Sequence, residues 1–521
     1  MQIRSFDGLD IPLAWRRVRS WAQSQTMDVP DRLPYEVLER LYGDDGPSLS
    51  PHHQPRRAVL VVSSKKSGTF RPFVRVRPTD LIMYQALVDQ LAPDIEGALL
   101  PRNHVGAYRQ LLTRDDNAFA ATPSNDEFRH SIHQAILEHP GSFVLETDIS
   151  GYFLGIRLPQ LEEKLIECSE RPDVVYDVVE LLTQWQQFGV RGLPQGIRPS
   201  SPLGNLYLSS LDRLLGRFSV PFFRWMDDIW AICDSYSSAR RIQDEIEKHL
   251  YDLGLTLNGE KTTIRRAETA ALTLEPAAAR FERRRDAAVE EIVEGLENAE
   301  YIDPSEIPDE EEIDHAVTIG EHDRLIGFLD DEVLPREFSA DMSLVYRRLE
   351  RLEDAHGLVG ISRVLVRSPD LSAVAMRYAA SLANKAPKDV VAVFADVLGD
   401  GRFTRDYEKL NICHKALSLK RDPNSNLGSL LGNLATTDPH PLIRAKALVA
   451  WGPHSGMDEF EVFDRFLQSA EPQWRPYALV SIHRKRRATR DERYEKWAGE
   501  GEGVAAVAAM LRREQIKWGR L

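Results

Sequence analysis

Three short segments, in a fixed order, constrain this chain more than anything else in it. They are Phe143–Phe153, Gly192–Asn205 and Phe223–Ile232. The first runs apolar through Phe143-Val144-Leu145 and reaches Asp148. The third places Asp227-Asp228 between Phe222-Phe223 and Ile229-Trp230-Ala231-Ile232. Short apolar runs of this kind read as buried strands, and two of them with acids between read as a hairpin with the acids at its tip. Between the two acidic segments, Leu193-Pro194-Gln195-Gly196 reads as a turn. Gln195 follows Asp148 by 47 residues, and Asp227 follows Gln195 by 32. That leaves room for a helix-bearing crossover and then a shorter return. Separate strands can therefore bring three carboxylates to one edge of an antiparallel sheet with helices on one face, an α+β arrangement.

Carboxylates gathered this way suit hard divalent ions, which take oxygen ligands. Two such ions about 3.5–4 Å apart can serve an in-line displacement at phosphorus, one activating the attacking oxygen and one stabilising the leaving group. Each segment alone also has a plain structural meaning. An acidic pair marks a solvated turn, an Asp after a strand caps a helix, and Pro-Gln-Gly is a common turn. The three together, in this order, are not explained that way.

Composition narrows the setting. The 521 residues suffice for two to four domains. No run of about 18 apolar residues is present, so no membrane partner is expected, and Met1-Gln-Ile-Arg-Ser-Phe-Asp7 lacks the apolar core of a signal peptide. The three cysteines, Cys168, Cys233 and Cys413, are odd in number and far apart. That argues against a disulfide framework or a zinc site and for a cytoplasmic protein. The 14 histidines show no metal-ligand spacing.

The net charge of −14 would disfavour nucleic acid if it were spread evenly. It is not. Residues 286–332 hold 18 acids and a single base, Arg324. That segment reads as a solvated linker or as an electrostatic mimic of nucleic acid. Downstream, Asp438-Pro-His-Pro441-Leu-Ile-Arg444 through Trp451 recurs loosely as Glu471-Pro472-Gln-Trp-Arg475 through Ile482, and more weakly from Ser368-Pro369 to Leu382. Proline at a helix start and small residues inside make a pattern that resembles HEAT-like repeats.

The acidic segments resemble the palm motifs of reverse transcriptases. Asp148 with Phe153 matches the first motif, Leu193-Pro194-Gln195-Gly196 with Ser200 and Asn205 the second, Trp225-Met226-Asp227-Asp228 the Tyr-x-Asp-Asp box, and Leu253 to Thr262, with Lys261, the fourth. Upstream, Lys65-Lys66 through Arg71 to Asp80 resembles the basic fingers hairpin. Trp225 departs from the usual Tyr, and nothing after Lys261 reads as a primer grip or thumb. The resemblance implies a right-hand fingers-palm polymerase fold, followed by an all-α HEAT-like repeat domain.

The boundaries expected are 1–55 as an N-terminal helical extension around Trp15–Trp21, 56–275 as fingers and palm, 276–335 as acidic linker or helical connector, and 336–521 as the repeats. The resemblance further implies two Mg²⁺ ions, with Mn²⁺ as an alternative, held by Asp148, Asp227, Asp228 and the Ile149 carbonyl. Phe153 would contact the sugar of an incoming dNTP and exclude a 2′-hydroxyl. Gln195 would meet the nucleotide or template, Arg71 and Lys65 or Lys66 the triphosphate, and Lys261 the departing pyrophosphate.

Palm plus helical repeats without a thumb looks like the bacterial abortive-infection reverse transcriptases and their defence-associated relatives. That group implies a cytoplasmic DNA polymerase acting against phage, in some members untemplated and primed from a protein hydroxyl, here Tyr35, Tyr42 or Tyr301. Its partners would be dNTPs, nucleic acid (a DNA product, an RNA template or a non-coding RNA) and further copies of itself. A retron-type or intron-type enzyme copying a dedicated RNA is the enzymatic alternative. A catalytically silent scaffold binding protein or RNA is the alternative of another class.

Overall fold

The computed structural model describes all residues except 24–30, 66–68, 111–114, 117–123, 298–307, 400–404, 418, 420–424, 456–459, 484–486 and 513–521. Lys66 and Tyr301 therefore lie outside the described residues. The chain divides into two compact units. The first comprises Met1–Asp28, Leu41–Val61 and Pro72–Pro276, and the second Val29–Arg40, Val62–Arg71 and Ala277–Leu521. No described helix is long and apolar enough to cross a membrane.

Strands β1 (Val59–Ser64) and β2 (Phe70–Arg75) pair as a two-stranded sheet. The main sheet belongs to the first unit. It is built from β3 (Phe143–Asp148), β4 (Phe222–Trp225), β5 (Asp228–Cys233) and β6 (Thr263–Arg266), in the order β4-β5-β3-β6. Every pairing in it is antiparallel.

Register explains the sequence pattern. Val144 faces Ile232, Glu146 faces Trp230 and Asp148 faces Asp228 across β3 and β5. Directly opposed residues of an antiparallel pair share a face. Along that face the side chains change from aliphatic to acidic as β3 proceeds. Its apolar end, Val144, Trp230 and Ile232, packs with Phe128, Ile132 and Ile136 of helix Asn125–Leu137 and with Ala267, Ala270, Ala271 and Leu274 of helix Ala267–Leu274. The first of these helices opens with a reciprocal capping box between Ser124 and Glu127.

The opposite face is covered too. Leu145, Ile229 and Ala231 are fully buried, and helix Tyr236–Asp252 packs on β3 and β5. Helices thus lie on both faces rather than one, which is why β3 and β5 read as continuous apolar runs and not as alternating ones. Helix Ile11–Gln23 packs against helix Pro78–Ala98 within the first unit, with Trp15 and Val18 buried.

The second unit is helical apart from its share of the β1–β2 hairpin. Helices Phe338–Leu352, Ser372–Ser381, Asp406–Ala416, Pro441–Trp451, Pro476–Ile482 and Glu502–Arg512 touch one another in succession. The helices Ile361–Arg367, Pro387–Gly399 and Leu427–Thr437, which alternate with four of them, do the same. Arg444 donates from Nη1 to the Asp438 carbonyl at 3.0 Å, and Arg475 donates from Nε to the Ala470 carbonyl at 3.1 Å. The two arginines of the internal similarity thus make the same kind of bond back to the preceding loop.

Two acids of the 286–332 segment are not solvated linker. Glu321 pairs with Arg284 at 2.6 Å, and Asp314 pairs with Arg285 at 3.7 Å and with Arg348. Helix Glu310–Gly327, which carries both, is capped by Asp309 and Glu312 in a second reciprocal box.

The tip of the hairpin is held inside this unit. Val62 donates its N–H to Asp406 Oδ2 at 3.0 Å, Ser64 donates to Glu408, and Arg405 donates to the Thr69 carbonyl at 2.9 Å. Asp31, 1% exposed, meets Lys446 at 3.3 Å and accepts from Tyr477.

Packing between neighbouring helices is tight at Gly452. A Cβ there would lie 1.8 Å from the Ser481 carbonyl oxygen and 2.7 Å from its carbon. Backbone cannot yield as a side-chain tip can, so Gly452→Ala is expected to destabilise the second unit by about 1–3 kcal/mol. A lowered denaturation midpoint for the helical signal, with the sheet unit's transition unchanged, checks this.

Candidate active site

The acids meet where β3 and β5 end together. Asp148 is the last residue of β3 and pairs in register with Asp228, the first of β5. Asp227 occupies the turn before it, and its carbonyl accepts the Ile149 N–H at 3.1 Å. Sequence spacing had only allowed this meeting; the strand pairing produces it. Asp148 is 7% exposed, and Asp227 and Asp228 are half-buried.

Burial and the neighbouring charges of Asp227 and Asp148 push the Asp228 carboxyl up to about 7, with Glu146 adding to the effect and Lys261 opposing it. Three carboxylates this close repel one another. A hard cation would relieve that repulsion, and an all-oxygen donor set is the kind such a cation takes. The residues present fit divalent metal.

Asp148 is also held from the side. Lys261 Nζ lies 2.7 Å from its Oδ2, and Asn258 Nδ2 donates to its Oδ1 at 3.0 Å. The Asn258 N–H meets the Asp148 carbonyl at 2.8 Å, and Ile149 bridges to Leu257. Lys261 remains 59% exposed along its side chain, which lets the ammonium move while Asn258 keeps the carboxylate oriented.

Phe153 lies five residues beyond Asp148 on the short helix Tyr152–Gly155 and is half-buried. Its carbonyl accepts the Leu193 N–H at 2.8 Å, which ties the Leu193-Pro194-Gln195-Gly196 turn to the segment carrying the first acid. Gly192 makes this approach possible. Its φ is +58°, and a Cβ would stand 2.0 Å from the Phe153 oxygen. Gln195 is half-buried, and its carbonyl accepts from Val74 on β2 at 2.7 Å.

Arg71 is exposed and Lys65 half-buried. Both fall in the hairpin tip that groups with the second unit, so the carboxylate cluster of the first unit is assembled without them. Tyr35, one of the three candidate priming tyrosines, is 6% exposed, and Tyr42 is half-buried.

Four residues of the site carried no assignment from sequence: Asn258, Glu146, Arg224 and Asp212. Arg224 is the most consequential. It is fully buried, and its Nε and Nη2 bind Asp212 Oδ1 and Oδ2 at 2.6 and 2.7 Å. Its Nη1 donates to Asn205 Oδ1 at 3.1 Å and to the Met226 carbonyl at 2.9 Å. Asn205 in turn donates to the Ala107 carbonyl at 2.6 Å.

Met226 has φ +53°, a strained conformation for a residue with a side chain. The guanidinium therefore fixes the turn that presents Asp227. An Arg inside an apolar strand, with an Asp twelve residues earlier, was the available signal. Trp225, the departure from the usual Tyr, is half-buried with its ring 5.1 Å from Phe128 and 5.9 Å from Tyr108, and does not disturb the acids.

Residues 63–283, under half of the chain, match the protein-family model described as Reverse transcriptase (RNA-dependent DNA polymerase). This part of the chain is similar to the reverse transcriptase domain that the family model describes. Among solved structures, apo telomerase from Candida tropicalis is similar at 10% identity and a TM-score of 0.32, over 71% of this chain and 70% of that one. Telomerase from Candida albicans in complex with a TWJ fragment of telomeric RNA is similar at 11% identity and a TM-score of 0.30, over 79% and 64%. No curated protein matches the sequence.

Asp212→Ala leaves the Arg224 charge buried without its counter-ion, which is expected to cost about 3–5 kcal/mol. Replacing the pair together by apolar residues of similar volume is expected to recover most of that stability, while the acidic turn loses the bond at Met226. Chemical denaturation of the single and double variants, beside a nucleotide-incorporation assay, separates the two effects.

Proposed function

We propose that this protein is a defence-associated bacterial reverse transcriptase that extends a DNA 3′ end, with its acidic turn and β3 carboxylate as the catalytic centre. The observation that carries the catalytic half is the register pairing of Asp148 with Asp228, with Asp227 one residue away in the turn. Asp148 and Asp227 would hold two divalent ions, Mg²⁺ or Mn²⁺, together with the Ile149 carbonyl and with Asp228 in a lesser role. Bound there, such ions supply activation of the attacking 3′-hydroxyl and charge neutralisation on the leaving pyrophosphate.

The other roles belong to the chain itself. Asn258 orients the Asp148 carboxylate, and Arg224 fixes the turn that offers Asp227. Lys261 swings from Asp148 to the pyrophosphate and gives it a proton or a charge-assisted hydrogen bond. Phe153 lies against the sugar of the incoming nucleotide and excludes a 2′-hydroxyl, while Gln195 meets the nucleotide or the template strand. Arg71 and Lys65 grip the triphosphate from the hairpin.

The defence assignment rests on the second unit. Helices that contact their next-but-one neighbours along the chain, and the matched bonds of Arg444 and Arg475, support a HEAT-like repeat array where other reverse transcriptases carry a thumb. An array of this size exceeds what gripping a primer requires and suits recognition of a protein or RNA partner. Synthesis in the cytoplasm that begins from a protein hydroxyl would favour Tyr42 over the buried Tyr35.

Asp227→Ala combined with Asp228→Ala is expected to abolish nucleotide incorporation, a loss of at least about 10³-fold if the acids hold the ions, with an unchanged circular dichroism spectrum. Undiminished synthesis by that folded variant would remove the catalytic assignment. Sequencing the nucleic acid that co-purifies with the protein tests the biological half. DNA released only by protease supports protein priming, whereas one defined RNA would transfer the protein to the retron-like class.

Phe153→Val should let ribonucleotides compete. The change expected is a rise in ribonucleotide kcat/KM of about 10²-fold or more relative to the deoxynucleotide. An unaltered ratio in single-nucleotide extension would place the sugar discrimination on another residue.

A further inference from the structure

Two of the 14 histidines, which show no metal spacing in the sequence, come together in the second unit. His322 and Asp323 are successive residues of helix Glu310–Gly327, and His356 opens the 3-10 turn His356–Leu358. His322 Nδ1 lies 3.2 Å from Asp323 Oδ1, and His356 Nε2 lies 2.6 Å from the same oxygen. The two rings stand with centroids 5.2 Å apart, and one ligand atom from each of the three residues lies within 4.8 Å of the others. It is the one group of this kind among the described residues.

Three further features distinguish this cluster from a pair of ordinary surface hydrogen bonds. His322 is 1% exposed, and its Nε2 has no hydrogen-bond partner among the described residues. A buried imidazole with one nitrogen unsatisfied and the other aimed at a carboxylate is costly unless the cluster compensates it.

The turn that carries His356 is anchored by Asp354, whose Oδ1 accepts the backbone N–H of His356 at 2.7 Å. The Oδ2 of Asp354 meets His315 Nε2 at 2.5 Å. Asp323 and His356 are 59% and 36% exposed at their side chains, which leaves a path for an ion and its water.

We propose that His322, Asp323 and His356 bind one divalent transition-metal ion of the zinc type, with water completing its coordination. Two imidazoles and one carboxylate are a donor set that zinc accepts and that magnesium does not favour. Ligand atoms around a tetrahedral zinc stand about 3.3 Å apart. The 2.6 Å contact between His356 and Asp323 must therefore open by roughly 0.7 Å, a small rotation for an exposed carboxylate. Bound there, the ion joins helix Glu310–Gly327 to the turn at 356–358. The site is separate from the acids of the sheet and does not depend on the polymerase reading.

The test uses the full chain carrying Asp227→Ala and Asp228→Ala, so that the sheet acids contribute no zinc of their own. After chelation and dialysis, Zn²⁺ and Mg²⁺ are titrated by calorimetry, bound metal is counted by mass spectrometry, and melting is followed with each ion. One zinc per chain is expected, with a raised melting temperature that Mg²⁺ does not reproduce. His356→Gln and Asp323→Asn, which each remove a ligand, should each weaken zinc binding by more than about 100-fold. Circular dichroism confirms that each variant is folded. Zinc binding unaltered in His356→Gln, or a folded parent chain that retains no zinc, overturns the proposal.

Discussion

Electrostatic repulsion between carboxylates is the constraint around which the first unit is arranged. Asp148, Asp227 and Asp228 would separate if the backbone allowed it. Pairing of β3 with β5 prevents this by setting Asp148 directly opposite Asp228. The rest of the surroundings tolerate the crowding rather than remove it: Asn258 and Lys261 hold one acid from the side, and the Asp228 carboxyl stays protonated to higher pH than an ordinary aspartate. Repulsion of this kind is a reserve that a cation can draw on when it binds, which is how a site gains affinity for a metal that keeps most of its own water.

The second constraint lies one strand away. A guanidinium with no access to solvent needs acceptors around it, and Arg224 makes four bonds, to Asp212, Asn205 and the Met226 carbonyl. That network holds a positive φ at Met226 that the side chain would otherwise resist. The β4–β5 turn is therefore specified by a buried ion pair rather than by the glycine or asparagine of an ordinary tight hairpin. Such pairs contribute little net stability, but they penalise any rearrangement that leaves one charge behind.

Much of the sheet was legible because its strands are buried on both faces and its acids interrupt apolar runs. Asp148, Asp227 and Asp228 could be named from those interruptions, and Phe153, Gln195 and Lys261 from the motifs around them. Arg224 could be noticed as a charge inside an apolar strand, but its pairing with Asp212 could not be read, because such a residue carries no mark of its partner. The histidine cluster was hidden for a related reason: 34 residues separate His322 from His356, and only the packing of a helix against a turn brings them together. The acidic segment was expected as an acidic linker or helical connector, and its composition did not show that Glu321 and Asp314 would meet arginines from outside it, Arg284, Arg285 and Arg348.

The path of the chain has a practical outcome. It passes between the two units five times, at residues 28/29, 40/41, 61/62, 71/72 and 276/277, so neither unit is a contiguous stretch of polypeptide. Cutting after Pro276 to isolate the sheet-bearing part would strip the hairpin tip of Asp406, Glu408 and Arg405, and Asp31 of Lys446 and Tyr477. Truncation and domain-exchange experiments on this protein should move whole chains, or restore both inserted segments together with the helices that anchor them.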